Sequence, residues 1–500
     1  MTNKKYLLGL DIGSSSVKAA LVDVDTGVAL ASAQAPDFEM PIHAQKPGWA
    51  EQSPNCWWDH CKDALQKIQG QGFKKESIVA IGISYQMHGL VIVDRNLNPL
   101  RASIIWCDSR SVEIGEKAFS KVGKKKALST VLNSPGNFTA AKLAWVKQNE
   151  PQLYEQIYKI MLPGDFIATK LTGEVSTTIG GLSEGILWDF KDHAPSEDVI
   201  KALYLDSKLL PDLVPGIGLQ GQVSQQASKE TGLPAGIPVT YRAGDQPNNA
   251  LSLNVFEPGE LAATAGTSGV IYGILDKIAP DPAGRVNLFA HVNHTKEIPR
   301  LGVLLCVNGT GIQYSWMRNQ LFGQEISYND MNKWAESVAP GADNLRIFPF
   351  GNGAERLLQN KEYGGKILNL DFNRHTRNHM IRAAQEGIIF ALNYGFETMR
   401  KMGVKTNVVK AGSANLFLSN LFTRIFASVT NTQVELFDTD GATGAARAAG
   451  MGAGYYNNTQ EAFSALQKIK EIQPEVNLIK IYEDIYGNWK NELENQLNPR

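Results

Sequence analysis

Apolar and polar positions along the chain change in short blocks from its first residues. The stretch YLLGLDIGSSSVKAALVDVDTG (residues 6–27) is an apolar run that stops on Asp11, crosses a glycine and three serines, and resumes as a second apolar run. Strand-like runs at 6–10, 17–22, 78–84 and 90–93 alternate with helical periodicity. That alternation predicts an α/β fold. Ser53 and Pro54 suit a helix start, and Trp57, Trp58, Cys61, Leu65 and Ile68 follow at helical spacing. A further helix is expected over about 150–159.

One pattern recurs. LLGLDIGSSSVKAALVD (7–23) and LAATAGTSGVIYGILD (261–276) are each an apolar strand, a turn of Gly with Ser or Thr, a second strand and a closing Asp. Two similar hairpins also arise by chance; read as a repeat, they predict two related α/β domains. The Pro- and Gly-rich stretch at 232–243 places the boundary, giving domains at 1–242 and 243–500.

Bulk properties narrow the function. The chain has 500 residues, 43% of them hydrophobic, and its 49 basic and 50 acidic residues give a formal net charge of -1. No global field recruits nucleic acid or an anionic membrane. No apolar stretch approaches the roughly 18 residues of a membrane helix, and the N-terminal segment lacks a cleavage pattern, so a cytoplasmic protein is expected. Cys56, Cys61, Cys107 and Cys306 lack metal-site spacing and read as reduced thiols.

The Gly-, Ser- and Thr-rich turns leave backbone N–H groups free for a polyanionic phosphate chain, although any hairpin can carry such a turn. No Walker motif is present. A third glycine segment, VVKAGSANLFLSNLFTRIFA (408–427), reads as strand, turn and a helix whose N-terminus faces the turn. DGATGAARAAGMGAG (440–454) suits a closely packed helix. Asp11 and Asp245 both end strands, where ligands of open α/β sheets bind, although a strand-end Asp is also an ordinary turn residue. His88, in SYQMHGLVIVD, and Trp106 with Asp108, in IIWCDSR, suit a sugar pocket as well as a core.

Together the motifs LDIGSSSVKAAL, WAEQSPNCWWD, QMHG, IIWCDSR, LPGDFIATKLTGE, AGD, AGTSGV, RAAQEG, AGSAN and DGATGAARAAG stand in one order along almost the whole chain. In them the chain resembles the FGGY carbohydrate kinases, most of all those of the xylulokinase type. The resemblance implies two related actin/hexokinase-like (ribonuclease H-like) domains with a cleft between them. It implies ATP and Mg²⁺ as cofactors and a small sugar as the other substrate, with no nucleic-acid or membrane partner and a homodimer as the oligomer to consider.

Carried over by residue, the resemblance makes Asp245 the catalytic base and Asp11 a Mg²⁺-associated carboxylate; both count as metal candidates. Gly13, Ser14 and Ser15 would face the phosphates, with Gly266, Thr267 and Ser268 opposite, and Gly412, Ser413, Ala414 and Asn415 would border the adenosine. Met87, His88, Trp106, Asp108 and Gln246 would line the sugar pocket. The reaction implied is phosphorylation of a ketose, D-xylulose to D-xylulose 5-phosphate first. Another pentulose, a heptulose or a polyol (ribulose, sedoheptulose, glycerol) comes behind it, and a nucleotide-switched chaperone or filament subunit of the same superfamily is the remote alternative. The chain departs from the family pattern where GGGDN is usual: it reads YRAGDQPNNA, so Gln246 replaces an Asn, and the usual SGERTP segment reads FGNGAERLLQN. These changes bear on the choice of sugar.

Overall fold

The structure is a computed structural model and describes residues 4–498. The chain forms two compact units: one holds the residues up to Phe256 with Phe289–Leu301 and Thr439–Leu466, the other holds Glu257–Leu288, Gly302–Asp438 and the residues from Gln467 onward. Both are α/β. The boundary expected near residue 243 lies later, because strand Pro238–Gly244 pairs in parallel with Ile78–Tyr85 and belongs to the first sheet.

The first sheet has six strands in the order Ile217–Gln222, Pro238–Gly244, Ile78–Tyr85, Tyr6–Ile12, Val17–Asp23, Ala29–Ala35. Tyr6–Ile12 pairs antiparallel with Val17–Asp23 and parallel with Ile78–Tyr85. Side chains alternate across a strand, and both faces here are apolar. Leu8, Leu10 and Ile12 pack with Trp57, Cys61 and Leu65 of helix Pro54–Gln69. Leu7, Val22 and Ala80 pack on the other side with Ala445, Ala448 and Ala449 of helix Gly441–Gly452. Small residues let that helix come close: a methyl group on Gly9 would sit 1.8 Å from the Ala442 carbonyl oxygen. The Thr240 hydroxyl also donates to the Ala449 carbonyl at 2.8 Å.

The second sheet repeats this plan. Gly259–Ala265 pairs antiparallel with Gly269–Leu275 and parallel with Thr406–Gly412, which pairs in parallel with Gln433–Phe437. The two hairpins similar in sequence are therefore equivalent in topology. Helix Arg377–Lys401 meets the second sheet at Gly395, where a Cβ would lie 2.3 Å from Leu305.

Local departures from expectation have local causes. The helix expected over 150–159 is one turn, Pro151–Tyr154, followed by strand Lys159–Met161. The long helix there is Thr139–Asn149, buried from Thr139 to Val146, so it shows no amphipathic period to read. After Gly412 a 3₁₀ turn, Asn415–Leu418, precedes helix Asn420–Thr430, whose first turn is capped by Ser419. That helix N-terminus therefore starts beyond the glycine turn rather than at it.

Candidate active site

In the first unit the three central strands are parallel, so their carboxyl ends lie together. Asp11 stands opposite Ser84, and Asp245 follows Gly244, which stands opposite Tyr85. Asp11 and Asp245 are thus two strands apart, about 10 Å in the backbone. Asp245 opens helix Asp245–Ser252, where backbone N–H groups favour a negative charge.

The Asp11 charge acts on Asp245. Burial pushes the Asp245 carboxyl up to about 7, and the charge of Asp11 adds to it, against hydrogen bonds from Gln246 and the backbone. Asp11 is also raised, by burial first and by Asp440, while Ser84 and Lys18 oppose the shift. Asp440 caps helix Gly441–Gly452, accepting from the Thr443 N–H at 2.8 Å. A Cβ on Gly441 would stand 2.4 Å from Asp11 Oδ2. The first turn of that helix is held in place by Asn248, whose Nδ2 donates to the Gly441 carbonyl at 2.9 Å.

The turn after Asp11 is closed by the Gly13 N–H donating to the Ser16 carbonyl at 3.0 Å. Gln52 Nε2 donates to the Ser14 carbonyl at 2.7 Å, and the Met40 N–H donates to that of Ser15 at 2.8 Å. Carbonyls are thereby turned into the protein. Trp106 is 47% exposed, and its indole N–H lies 3.4 Å from the Ser14 hydroxyl. The indole is placed at this turn.

Met87 and His88 adjoin Gly244. A Cβ on Gly244 would lie 2.5 Å from Met87 Cγ and 2.8 Å from Glu184 Oε2, so glycine fits best before Asp245. His88, at φ 62°, has its Nδ1 3.0 Å from the Glu184 carbonyl and packs edge-on against Phe138. The Lys142 ammonium donates to the carbonyls of His88 (2.8 Å) and Ile105 (2.9 Å). Lys142 is fully buried and its pKa falls to about 7, burial being the main cause. Gln246 keeps a buried Oε1 with no hydrogen-bond partner.

Asp108 is the correction. It has no exposed surface, accepts from the Ala50 N–H at 2.6 Å and pairs with Arg110 at 2.6 Å. Arg110 in turn stacks on Trp49, 3.7 Å from the ring centre. Asp108 anchors this structural cluster and cannot touch a sugar. Glu184 and Lys142 carried no sequence signal, because nothing local distinguishes them from ordinary helix residues, whereas Asp440 opens the 440–454 segment as a helix cap.

In the second unit, the turn of Gly266, Thr267 and Ser268 is held by Gly311 N–H donating to the Gly266 carbonyl (2.9 Å) and Ile312 N–H to that of Thr267 (3.1 Å). Asn415, at φ 55°, brings its Nδ2 within 3.4 Å of where a Cβ on Gly266 would be. The Ser413 N–H donates to the Phe437 carbonyl at 2.9 Å. The residues expected at the phosphates and at the adenosine are therefore neighbours within this unit.

A fold of this kind with strand-end carboxylates and Gly/Ser/Thr hairpin turns suits the class of phosphoryl-transfer enzymes. The N-terminal domain model of the FGGY family of carbohydrate kinases matches residues 6–252, and the C-terminal domain model matches 261–453. The chain belongs to this family and is a carbohydrate kinase. It is 27% identical to the xylulose kinase of Bacillus subtilis over 97% of each chain. Among solved structures it is similar to a ligand-bound xylulose kinase from Lactobacillus acidophilus (TM-score 0.89, 22% identity, covering 99% of this chain and 98% of that one). It is equally similar to a gluconate kinase from the same organism (TM-score 0.89, 22% identity, 99% of each chain). Among the described residues no helix is long and apolar enough to cross a membrane.

Proposed function

We propose that the protein transfers the γ-phosphoryl group of ATP to a terminal hydroxyl of a small ketose, D-xylulose before others, with Asp245 as the base and Asp11 beside the metal. The observation that carries this reading is the buried Asp245 carboxyl at a strand end two strands from Asp11, raised by burial first and then by the Asp11 charge. A carboxyl pushed up to about 7 is far better matched to accepting an alcohol proton near neutral pH than one at the ordinary 3.8. Gln246, Met87 and His88 are its neighbours toward the sugar. Gln246, where the family pattern usually has Asn, leaves other ketoses and polyols as alternatives behind D-xylulose.

Mg²⁺ fits this reading. Among the described residues no group of three or more His, Cys, Asp or Glu could hold a metal. Magnesium is commonly held by one or two carboxylates together with substrate phosphates, which suits Asp11 and Asp245. When bound, the ion neutralises phosphate charge. The residues' own contributions are to orient the acceptor hydroxyl, take its proton at the Asp245 carboxylate, and present turn N–H groups to phosphate at Ser14, Ser15, Gly266, Thr267 and Ser268, with the Gly13 N–H closing the first turn.

ADP release from ATP and Mg²⁺ over D-xylulose, L-xylulose, both ribuloses, sedoheptulose and glycerol tests the reading. Turnover that depends on a ketose supports it. Sugar-indifferent or peptide-stimulated ATP hydrolysis would instead favour a chaperone or filament role.

A further inference from the structure

The segment FGNGAERLLQN (350–360), which departs from the family pattern, lies in the second unit. It completes strand Arg346–Glu355, which pairs antiparallel with Lys361–Leu368 in a two-stranded ribbon. The pairing slips between Phe350 and Ala354 and resumes with Glu355 opposite Lys361. Gly351, Asn352, Gly353 and Ala354 are exposed, whereas Glu355 has no exposed surface. The acid is turned into the protein.

There it meets the loop that follows strand Leu301–Val307. Glu355 Oε1 accepts from the Asn308 N–H at 2.9 Å, and the Gly309 N–H also faces the carboxyl. The two segments interlock around that bond. Asn308 Nδ2 donates to the Ala354 carbonyl at 3.0 Å, and Asn352 Nδ2 donates to the Asn308 carbonyl at 3.2 Å. A Cβ on Gly309 would stand 1.4 Å from the Pro349 carbonyl oxygen, so the backbones touch. Two residues on, the same loop holds the Gly266 turn, through the Gly311 and Ile312 N–H groups that donate to the Gly266 and Thr267 carbonyls. A second link runs through Cys306, whose thiol hydrogen-bonds with Ser268 and feels the Glu355 charge. Burial pushes the Glu355 carboxyl up to about 8, against the Asn308 and Gly309 N–H groups. Near neutral pH it is mostly uncharged, and an amide is a close substitute for it.

Resting on the kinase reading above, we propose that Glu355 is a positioning residue for the nucleotide: by holding the 308–312 loop it sets the Gly266–Ser268 turn so that its N–H groups face phosphate. The 350–360 segment then governs ATP rather than the choice of sugar. The sugar candidates Met87, His88 and Gln246 all belong to the first unit.

The test compares full-length wild type with Glu355→Ala, Glu355→Asp and Glu355→Gln, by initial rates on ATP and D-xylulose and by calorimetric titration of ADP with Mg²⁺ in the absence of sugar. Glu355→Ala leaves the Asn308 N–H unpaired and should raise KM for ATP and weaken ADP binding roughly tenfold, with KM for D-xylulose within about twofold. Glu355→Asp, one methylene short of Asn308, should move the same constants several-fold and keeps the test decisive if the alanine variant does not fold. Glu355→Gln, which still accepts from Asn308, should recover most of the loss. The ratio of kcat/KM on D-xylulose to that on D-ribulose should hold in all three. A merely structural role would lower the active fraction, and with it kcat, without singling out the nucleotide. Equal changes in both KM values, an unchanged ADP affinity in Glu355→Ala and Glu355→Asp, or a shifted sugar ratio would overturn the proposal and leave the kinase reading in place. Failure of the wild type on every ketose would overturn the kinase reading, while the ADP titration still decides the role of Glu355.

Discussion

Asp245→Asn should make the protein more stable while disabling it. The folded state holds the Asp245 carboxyl at about 7 against an ordinary 3.8. At about 1.4 kcal/mol per tenfold, keeping this group ionised costs the native state about 4 kcal/mol above pH 7. Because the folded pKa is the higher one, the cost is absent below pH ~4, grows as pH rises and is complete above ~7. Asn is close to isosteric with Asp and never ionises, so it escapes this cost. In calorimetry of the first unit's transition, the variant should exceed the parent by several degrees at pH 8, and the gap should shrink to about 1–2 kcal/mol at pH 5. The same preparation should lose ~10²–10⁴-fold in ketose-dependent ADP release while still binding ATP. A variant no more stable than the parent at pH 8, or an advantage that does not shrink on acidification, would show that Asp245 is not held against its charge.

Three further substitutions probe the parts around it. Gly441→Ala puts a methyl 2.4 Å from Asp11 Oδ2 and must displace that carboxylate, so kcat should fall roughly ten- to hundredfold with the melting temperature little changed; an unaltered kcat refutes a role for Asp11's position. Lys142→Met removes the donor to the His88 and Ile105 carbonyls, and sugar KM should rise several-fold more than kcat falls, as initial-rate measurements would read. Gly311→Ala sets a methyl 2.1 Å from the Gly266 carbonyl oxygen, so KM for ATP should rise about tenfold while KM for sugar holds, and equal changes in both would count against a phosphate role for the Gly266 turn.

The hairpins and the strand-end aspartates were legible because short-range chemistry specifies them. Alternation marks strands, Gly with Ser or Thr marks the turn, and a carboxylate at the end of an apolar run is conspicuous wherever the chain goes next. Asp108 misled for a related reason. Reading IIWCDSR as an extended segment puts Trp106 and Asp108 on one side, but only Ser103–Ile104 is strand and the chain then turns, so Trp106 emerges at Ser14 while Asp108 is buried against Arg110. The domain boundary was misplaced because a Pro/Gly-rich entry to a strand looks the same whether the strand opens a new sheet or joins an old one. Glu184 carried no mark at all: its setting is made by Met87, Gly244 and the 289–296 segment, each far from it in sequence.

Helix Gly441–Gly452 shows what a local reading misses even when it is right. Its small residues predict close packing, and the structure has it, with Gly9 and Gly82 offering no Cβ to Ala442 and Ala445. The partner is a sheet whose first strand lies more than 400 residues earlier. Close approach here does more than fill space. It brings the Asp440 charge to bear on Asp11, and the bare Cα of Gly441 leaves room for the Asp11 carboxylate. An Ala-for-Gly change at position 441 is therefore expected to act on the placement of the Asp11 charge before it acts on stability, since the added methyl meets that carboxylate and Asp440 already opposes it. The alanine-rich face supplies the apolar burial that offsets holding such charges together.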